Sequence, residues 1–195
     1  MNLVLFATPE AATGLPYEDP RAIHLRETVK LRPGDSVFLG VVNGSRARAT
    51  ILSDEPNGGM RFDLQWEATP PPRLPLDLLV GLPRPQTARR VLFEAACQGA
   101  RRLSFFGAER GEPSYRASKL WHTDEWQRHL WSGAEQAFHT SLPEVCHWPD
   151  LPTALGALAA QKSAPETCLA LDVYEGTMRL SAVLRETPAA PCLAL

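Results

Sequence analysis

The chain has 195 residues and a mass of 21.5 kDa, with 44% hydrophobic and 22% charged residues and a formal net charge of -2. That balance excludes wholesale disorder, and the length allows a sizeable core without disulfide staples, in one domain or two small ones. No apolar run approaches the ~18–20 residues of a membrane span. The N-terminus lacks the basic flank of a signal peptide, so a cytoplasmic protein is expected.

The first part, to about Trp66, reads as mostly β. Leu3 to Phe6 is a short apolar strand, and Pro20 to about Val29 fits one short helix with proline near its start. Pro33-Gly34-Asp35 turns the chain into a strand over Ser36 to Val42. Asn43-Gly44 is a strong hairpin signal, and Arg46 to Leu52 then alternates with period two. A second turn, Pro56 to Gly59, leads into another alternating run, Met60 to Trp66. Short strands joined by tight turns suggest a small barrel. Thr69 to Pro75, which holds four of the chain's 18 prolines, can be neither helix nor central strand and marks a linker.

Beyond the linker strand and helix alternate. Leu76 to Leu82 is an apolar strand of the kind buried in parallel sheets. A helix from about Thr87 places Val91, Leu92, Ala95 and Ala96 on one face and stops at Gly99. Leu103 to Phe106 is the next strand, followed by a polar loop with Gly111 to Ser114. Thr123 can cap a helix with the stripe Trp126, Leu130, Ala134 and Phe138. A short strand at Val145, a helix over Leu151 to Ala160, and strands at Cys168 to Leu171 and Pro191 to Leu195 complete the pattern.

Charge is informative when split. Arg84 to Lys119 holds eight basic residues against three acidic ones, whereas from Leu120 onward four bases face nine acids. A basic segment in an acidic chain is what a phosphate-facing surface looks like, and also what an ordinary arginine-rich helix face looks like. The four cysteines form no Cys-x-x-Cys pair, so neither a zinc site nor a disulfide framework is encoded. His122 and His129, seven apart on the predicted helix, lack a third ligand at suitable spacing, so no metal is expected. His139, Cys146 and His147 contain the residue types of a Cys/His nucleophile pair, but structural roles explain them better. Trp126 reads as core, while Trp121 and Trp131 are open to base stacking. Asp172, Tyr174 and Glu175 follow the carboxyl end of a predicted strand, where sites in α/β sheets are built; a helix-capping Asp beside a surface Glu is the other reading.

The segment from His24 to Asp35, with Leu31-Arg32-Pro33-Gly34-Asp35 at its end, resembles an early segment of the RsmE methyltransferases. Trp126-Gln127-Arg128, then Ala134-Glu135-Gln136 and Leu142-Pro143-Glu144-Val145, is similar to their Trp-x-Lys, Ala-Glu-Gln and Pro-x-Val segments. Gly81 to Arg89 looks like a divergent branch of the same family, and the resemblance runs in order along nearly the whole chain. It implies an α/β protein: a PUA-like RNA-binding β-barrel over residues 1–68, a linker over 69–75, and a SPOUT domain over 76–195. It further implies methylation of N3 of a uridine in small-subunit (16S) ribosomal RNA, S-adenosylmethionine as cofactor, a homodimer, and no membrane partner. Lys30, Arg32, Arg46, Arg48, Arg84, Arg89 and Arg110 would then face RNA, and Leu171, Asp172 and Leu195 the cofactor. No residue is assigned a catalytic role.

The chain also departs from the family. Phe93-Glu94 stands where relatives carry Gln-Lys, and Ala137-Phe138-His139 where they carry a Ser-Gly-Arg-like turn. The Gly-Pro-Glu-Gly-Gly loop and the later Leu-Arg-Thr-Glu-Thr segment, which build the family's knot and most of its cofactor pocket, are absent, and Leu195 stands where the first would begin. The expectation is an incomplete SPOUT domain lacking its C-terminal knot, and 195 residues that are inactive alone. The alternatives are a non-catalytic RNA-binding protein with the same contacts, or an unrelated hydrolase, which the lack of any nucleophile motif disfavours.

Overall fold

A computed structural model describes residues 3–68, 73–160, 168–171 and 174–186. The chain divides into two units: residues 1–72 with 131–142, and residues 73–130 with 143–195.

In the first unit five strands form one sheet in the order β1-β3-β4-β5-β2, curled into a half-barrel. They are β1 (Val4–Phe6), β2 (Gly14–Leu15), β3 (Ser36–Val41), β4 (Arg46–Glu55) and β5 (Gly59–Trp66). β1 runs parallel to β3 and the other pairs are antiparallel. The alternation of β4 sorts its faces: Ala47, Ala49 and Ile51 are buried, whereas Arg48 is exposed. A register shift between Ile51 and Ser53 breaks the pattern and leaves Leu52 61% exposed. Gly59 adopts φ +70°, and a Cβ there would meet the Leu15 carbonyl oxygen, so β5 can start against β2 only with glycine.

Val4 and Phe6 enter a core with Leu15, Leu25, Leu39, Ile51, Met60 and Phe62. Leu3 and Leu5 point the other way, into a cluster with Ala134, Trp131 and Phe138. Both sides of β1 are therefore covered, which is why its sequence is apolar without alternation. The predicted helix from Pro20 is one α-helical turn, α1 (Pro20–Ile23), followed by a wider π-helical turn over His24–Thr28. Asp19 caps α1 by accepting from the Arg21 N–H at 2.8 Å.

In the second unit β6 (Asp77–Gly81), β7 (Arg102–Phe106) and β8 (Glu144–Trp148) form a parallel sheet in that order. Helix α2 (Pro85–Cys97) connects the first two and buries Ala88, Leu92, Ala95 and Ala96. At the amino ends of the strands the Asp77 carboxylate, 3% exposed, accepts from Arg101 Nε at 2.8 Å and Nη2 at 2.7 Å; Arg102 bridges Asp77 and Glu144. Two of the eight basic residues in the predicted phosphate-facing segment are thus engaged in holding the sheet.

The helix predicted after Thr123 is present, and a separate short turn precedes it, so that His122 is not on it. α3 (Lys119–His122) ends at Thr123, whose hydroxyl donates to the Lys119 carbonyl and accepts from the Glu125 N–H, and α4 (Glu125–Gln136) follows. His122 and His129 therefore lie on different helices and do not share a face. Phe138 lies past the end of α4 with φ +63°, so the buried stripe stops at Ala134. α5 (Leu151–Ala159) follows β8, capped by Asp150. Cys168–Leu171 forms no strand; it is irregular and mostly exposed, because four apolar residues do not by themselves distinguish a strand from open chain. A short helix the sequence did not suggest, α6, covers Leu180–Glu186. The predicted strand Pro191 to Leu195 lies outside the described residues.

Candidate nucleotide cleft and RNA-facing residues

The three parallel strands end together, and the loops that leave them surround a cleft of about 380 Å³. Leu82 comes from the end of β6, Gly107 to Arg116 from the loop after β7, and Pro149 and Asp150 from the end of β8. Ligands of α/β sheets bind outside the carboxyl ends of strands, and this volume falls within the ~300–1,000 Å³ range of small-molecule sites.

Backbone bonds fix the walls. The Leu82 N–H donates to Phe106 O at 2.7 Å, and Gly107 N–H to Trp148 O at 3.2 Å. A Cβ on Gly107 would collide with the Pro149 carbonyl oxygen, so glycine is what lets the β7 and β8 loops approach. The Arg116 guanidinium donates through Nη2 to the Trp148 carbonyl, which holds the side chain at the cleft.

Three carboxylates line the cleft, and they differ. Asp150 accepts from the Thr153 N–H at 2.8 Å, and the Thr153 side chain, then this N–H, hold its carboxyl below the usual range. Glu112 accepts from the Ser114 N–H at 3.4 Å. Glu109 is exposed and has no bonded partner among the described residues.

Phe105 and His147 stack at 5.6 Å with rings 24° apart, and Trp121 meets His147 edge-on at 4.6 Å. Burial of the inner face of His147, and then the Arg116 guanidinium, push its imidazole below the ordinary value, although its outer edge reaches solvent. Trp121 Nε1 is buried without a partner among the described residues. Cys146 and His147 are successive strand residues and so face opposite sides of the sheet. Burial, then Glu144, raises the Cys146 thiol, which keeps it protonated. They form no nucleophile pair. Among the described residues no group of His, Cys, Asp or Glu converges as metal ligands, and no helix is long and apolar enough to cross a membrane.

The cationic candidates fall into two kinds. Lys30, Arg32, Arg48, Arg84 and Arg110 are exposed, with no salt bridge among the described residues. Arg32 and Arg84 are steadied by local bonds, Arg32 to the carbonyls of Arg26 and Leu31, Arg84 to Thr87 Oγ1. Arg46 and Arg89 are half-buried and paired. Arg46 Nε donates to Glu67 at 2.9 Å while its guanidinium lies over the Phe138 ring. Arg89 binds Glu125 and holds that carboxyl below the usual range. In sequence Arg110 lies between the cleft residues Glu109 and Gly111, and Arg84 two residues beyond Leu82. Trp126 is half-buried rather than core, and Trp131 packs against Leu3 and Leu5.

Of the residues the resemblance assigns to the cofactor, Asp172 and Leu195 lie outside the described residues, and Leu171 is 58% exposed and does not line the cleft. Gly107, Glu109 and Arg116 do not stand out in the sequence from the rest of a polar loop. Their position just past a predicted parallel strand is the one signal that could have found them.

An RNA methyltransferase domain model matches residues 70–187. Ribosomal RNA small subunit methyltransferase E of Treponema pallidum is 33% identical over 150 residues, covering 74% of this chain and 56% of that protein. Ribosomal RNA small subunit methyltransferase E 1 of Borreliella burgdorferi is 31% identical over 146 residues, covering 74% and 60%. The chain thus spans a little over half the length of these curated relatives. The crystal structure of ribosomal RNA small subunit methyltransferase E from Neisseria gonorrhoeae, bound to S-adenosyl methionine, superposes with a TM-score of 0.66 at 17% identity, over 100% of this chain and 78% of that one. The likeness shows a shared fold, a curled β unit followed by a parallel α/β sheet. The chain belongs to the RNA methyltransferase domain family and is similar to its RsmE members.

Proposed function

We propose that the protein methylates N3 of a uridine in small-subunit ribosomal RNA, with S-adenosylmethionine as methyl donor, in the cytoplasm and as a homodimer. Residues 1–68 act as a PUA-like RNA-binding unit, 69–75 as the linker, and 76–195 as the transfer domain. The observation that carries this reading is the cleft at the carboxyl ends of β6 to β8, bordered in sequence by the exposed Arg84 and Arg110. Uridine N3 holds a proton until it reacts, so a group that accepts that proton must stand beside it. The RNA phosphates are gripped by Lys30, Arg32, Arg48, Arg84 and Arg110, with Arg46 and Arg89 exchanging their carboxylate partners for phosphate. Leu171 and Asp172, with Leu195, are the cofactor-facing residues of this reading.

The exposure of Leu171 favours a second reading, in which these 195 residues bind RNA without transferring a methyl group. One experiment tests whether these 195 residues, against the expectation from the sequence, transfer a methyl group alone. The chain is incubated with S-adenosylmethionine and a small-subunit ribosomal RNA transcript, and primer extension maps arrests at N3-methylated uridine, which cannot pair. A new arrest at one uridine supports the proposal. Salt-sensitive RNA binding with neither arrest nor cofactor binding supports the second reading, and absence of RNA binding overturns both.

A further inference from the structure

We infer that the cleft at the carboxyl ends of β6, β7 and β8 seats the uracil base of an unstacked RNA nucleotide, with the Glu109 carboxylate accepting the base's N3–H. This rests on the RNA reading above and gives that reading's substrate base a place and a partner. A volume of about 380 Å³ accommodates a pyrimidine nucleoside, and specific RNA recognition works on bases splayed out of the stack.

The chemistry of the walls selects the base. Uracil presents an acceptor, a donor and an acceptor along its pairing edge: O2, N3–H and O4. The matching surface is an anionic acceptor flanked by N–H donors. Of the three carboxylates on the cleft, Asp150 and Glu112 are each oriented by a backbone N–H of their own turn, Thr153 and Ser114, whereas Glu109 has no bond among the described residues to turn it elsewhere, and it is the one placed on N3–H. Arg116 has one N–H group on the Trp148 carbonyl, and its other donors have no partner among the described residues, so they supply the bond to a uracil carbonyl oxygen. Leu82, Pro113 and Pro149 give apolar surface for the faces of the ring.

The same edge explains what is rejected. Cytosine carries an acceptor at N3, which a carboxylate repels. In 3-methyluridine the N3–H is gone and a methyl group stands in its place, so the cleft releases a base already methylated there. A site built around a polar partner discriminates strongly against an analogue that leaves it unpaired.

The test uses the full 195-residue chain labelled with nitrogen-15 and single-stranded pentaribonucleotides that differ only at the central base: uridine, cytidine or 3-methyluridine. The uridine oligomer is expected to shift the backbone amides of Gly107, Ala108 and Gly111, and to bind about tenfold tighter than the other two. Glu109→Gln, whose amide both accepts and donates, is expected to bring the uridine and cytidine oligomers within about twofold of each other. Glu109 is exposed, and the variant's own spectrum reports whether it is folded. Oligomer binding that leaves the three amides unmoved, or equal affinity for all three bases, overturns the cleft assignment while the RNA reading stands. No binding of any oligomer or of the ribosomal transcript overturns both.

Discussion

His147 sits where a strand end, an aromatic cluster and a cation meet. Its ring is stacked on Phe105 and crossed by Trp121, and its burial, then the Arg116 charge, disfavour the protonated imidazole. Its folded value lies below the ordinary ~6.5, so in the window just below that value the unfolded chain binds more protons than the folded one. Stability is therefore expected to fall as pH drops through that window, and to recover nothing on further acidification from this group. Thermal melts between pH 7.5 and 5 check it: His147→Phe should flatten the dependence, and a curve identical to that of the parent would remove His147 from the account. The sequence could not show this. There His147 simply follows Cys146, and only the strand's alternation sends the two side chains to opposite faces.

At the scale of elements, the segment Trp131–Leu142 is bound to the first unit through polar contacts as much as through packing. Glu135 Oε1 accepts from the Leu5 N–H at 3.0 Å, Thr140 Oγ1 donates to Gly44 O at 2.6 Å, and the Leu142 N–H donates to Asn43 Oδ1 at 3.1 Å. Burial raises the Glu135 carboxyl against the pull of the Leu5 bond and Arg21. Glu135→Gln keeps an oxygen for Leu5 without a buried charge and is expected to leave the urea midpoint unchanged or higher. Glu135→Ala strands the N–H and should cost ~1–3 kcal/mol, read from the same midpoint. Equal losses in both variants would mean that the charge, not the acceptor, is what matters. The β3–β4 and β4–β5 hairpins were legible because their turns announce themselves through Asn43-Gly44 and Pro56 to Gly59. The end of α4 was not. Phe138 has the right spacing from Ala134 for a helical stripe, yet the chain leaves the helix and takes φ +63° there. The cost of that conformation is offset by an edge contact to the Phe38 ring at 4.8 Å and by the Arg46 guanidinium over the Phe138 ring at 4.6 Å. Both partners come from β3 and β4, nearly a hundred residues earlier, where no local pattern reaches.

For the whole molecule, the proposed function raises the question of how many of its cations would meet RNA. A net charge of -2 hides them, and so does treating Arg84 to Lys119 as one basic segment. Asp77 and Glu144 take Arg101 and Arg102, and Glu125 takes Arg89, whereas Arg84 and Arg110 are left open beside the cleft loops. In the first unit Arg46 is paired with Glu67, but Arg48, two residues on along the same face of β4, is exposed beside Phe38 and Gln65. Removing one phosphate-binding cation should reduce the slope of log K against log salt by roughly 0.7–0.9. Arg48→Ala is therefore expected to lower the slope by about that amount, and Arg84→Ala with Arg110→Ala by about twice as much. Arg89→Ala is expected to have a smaller effect than any of these, since Glu125 already neutralises that guanidinium. If phosphates are held by both units, the triple variant Arg48→Ala, Arg84→Ala, Arg110→Ala shows the summed reduction, because residues without shared partners act independently. If Arg48→Ala leaves the slope untouched, the outer face of β4 does not meet RNA and the electrostatic grip belongs to the loops around the cleft.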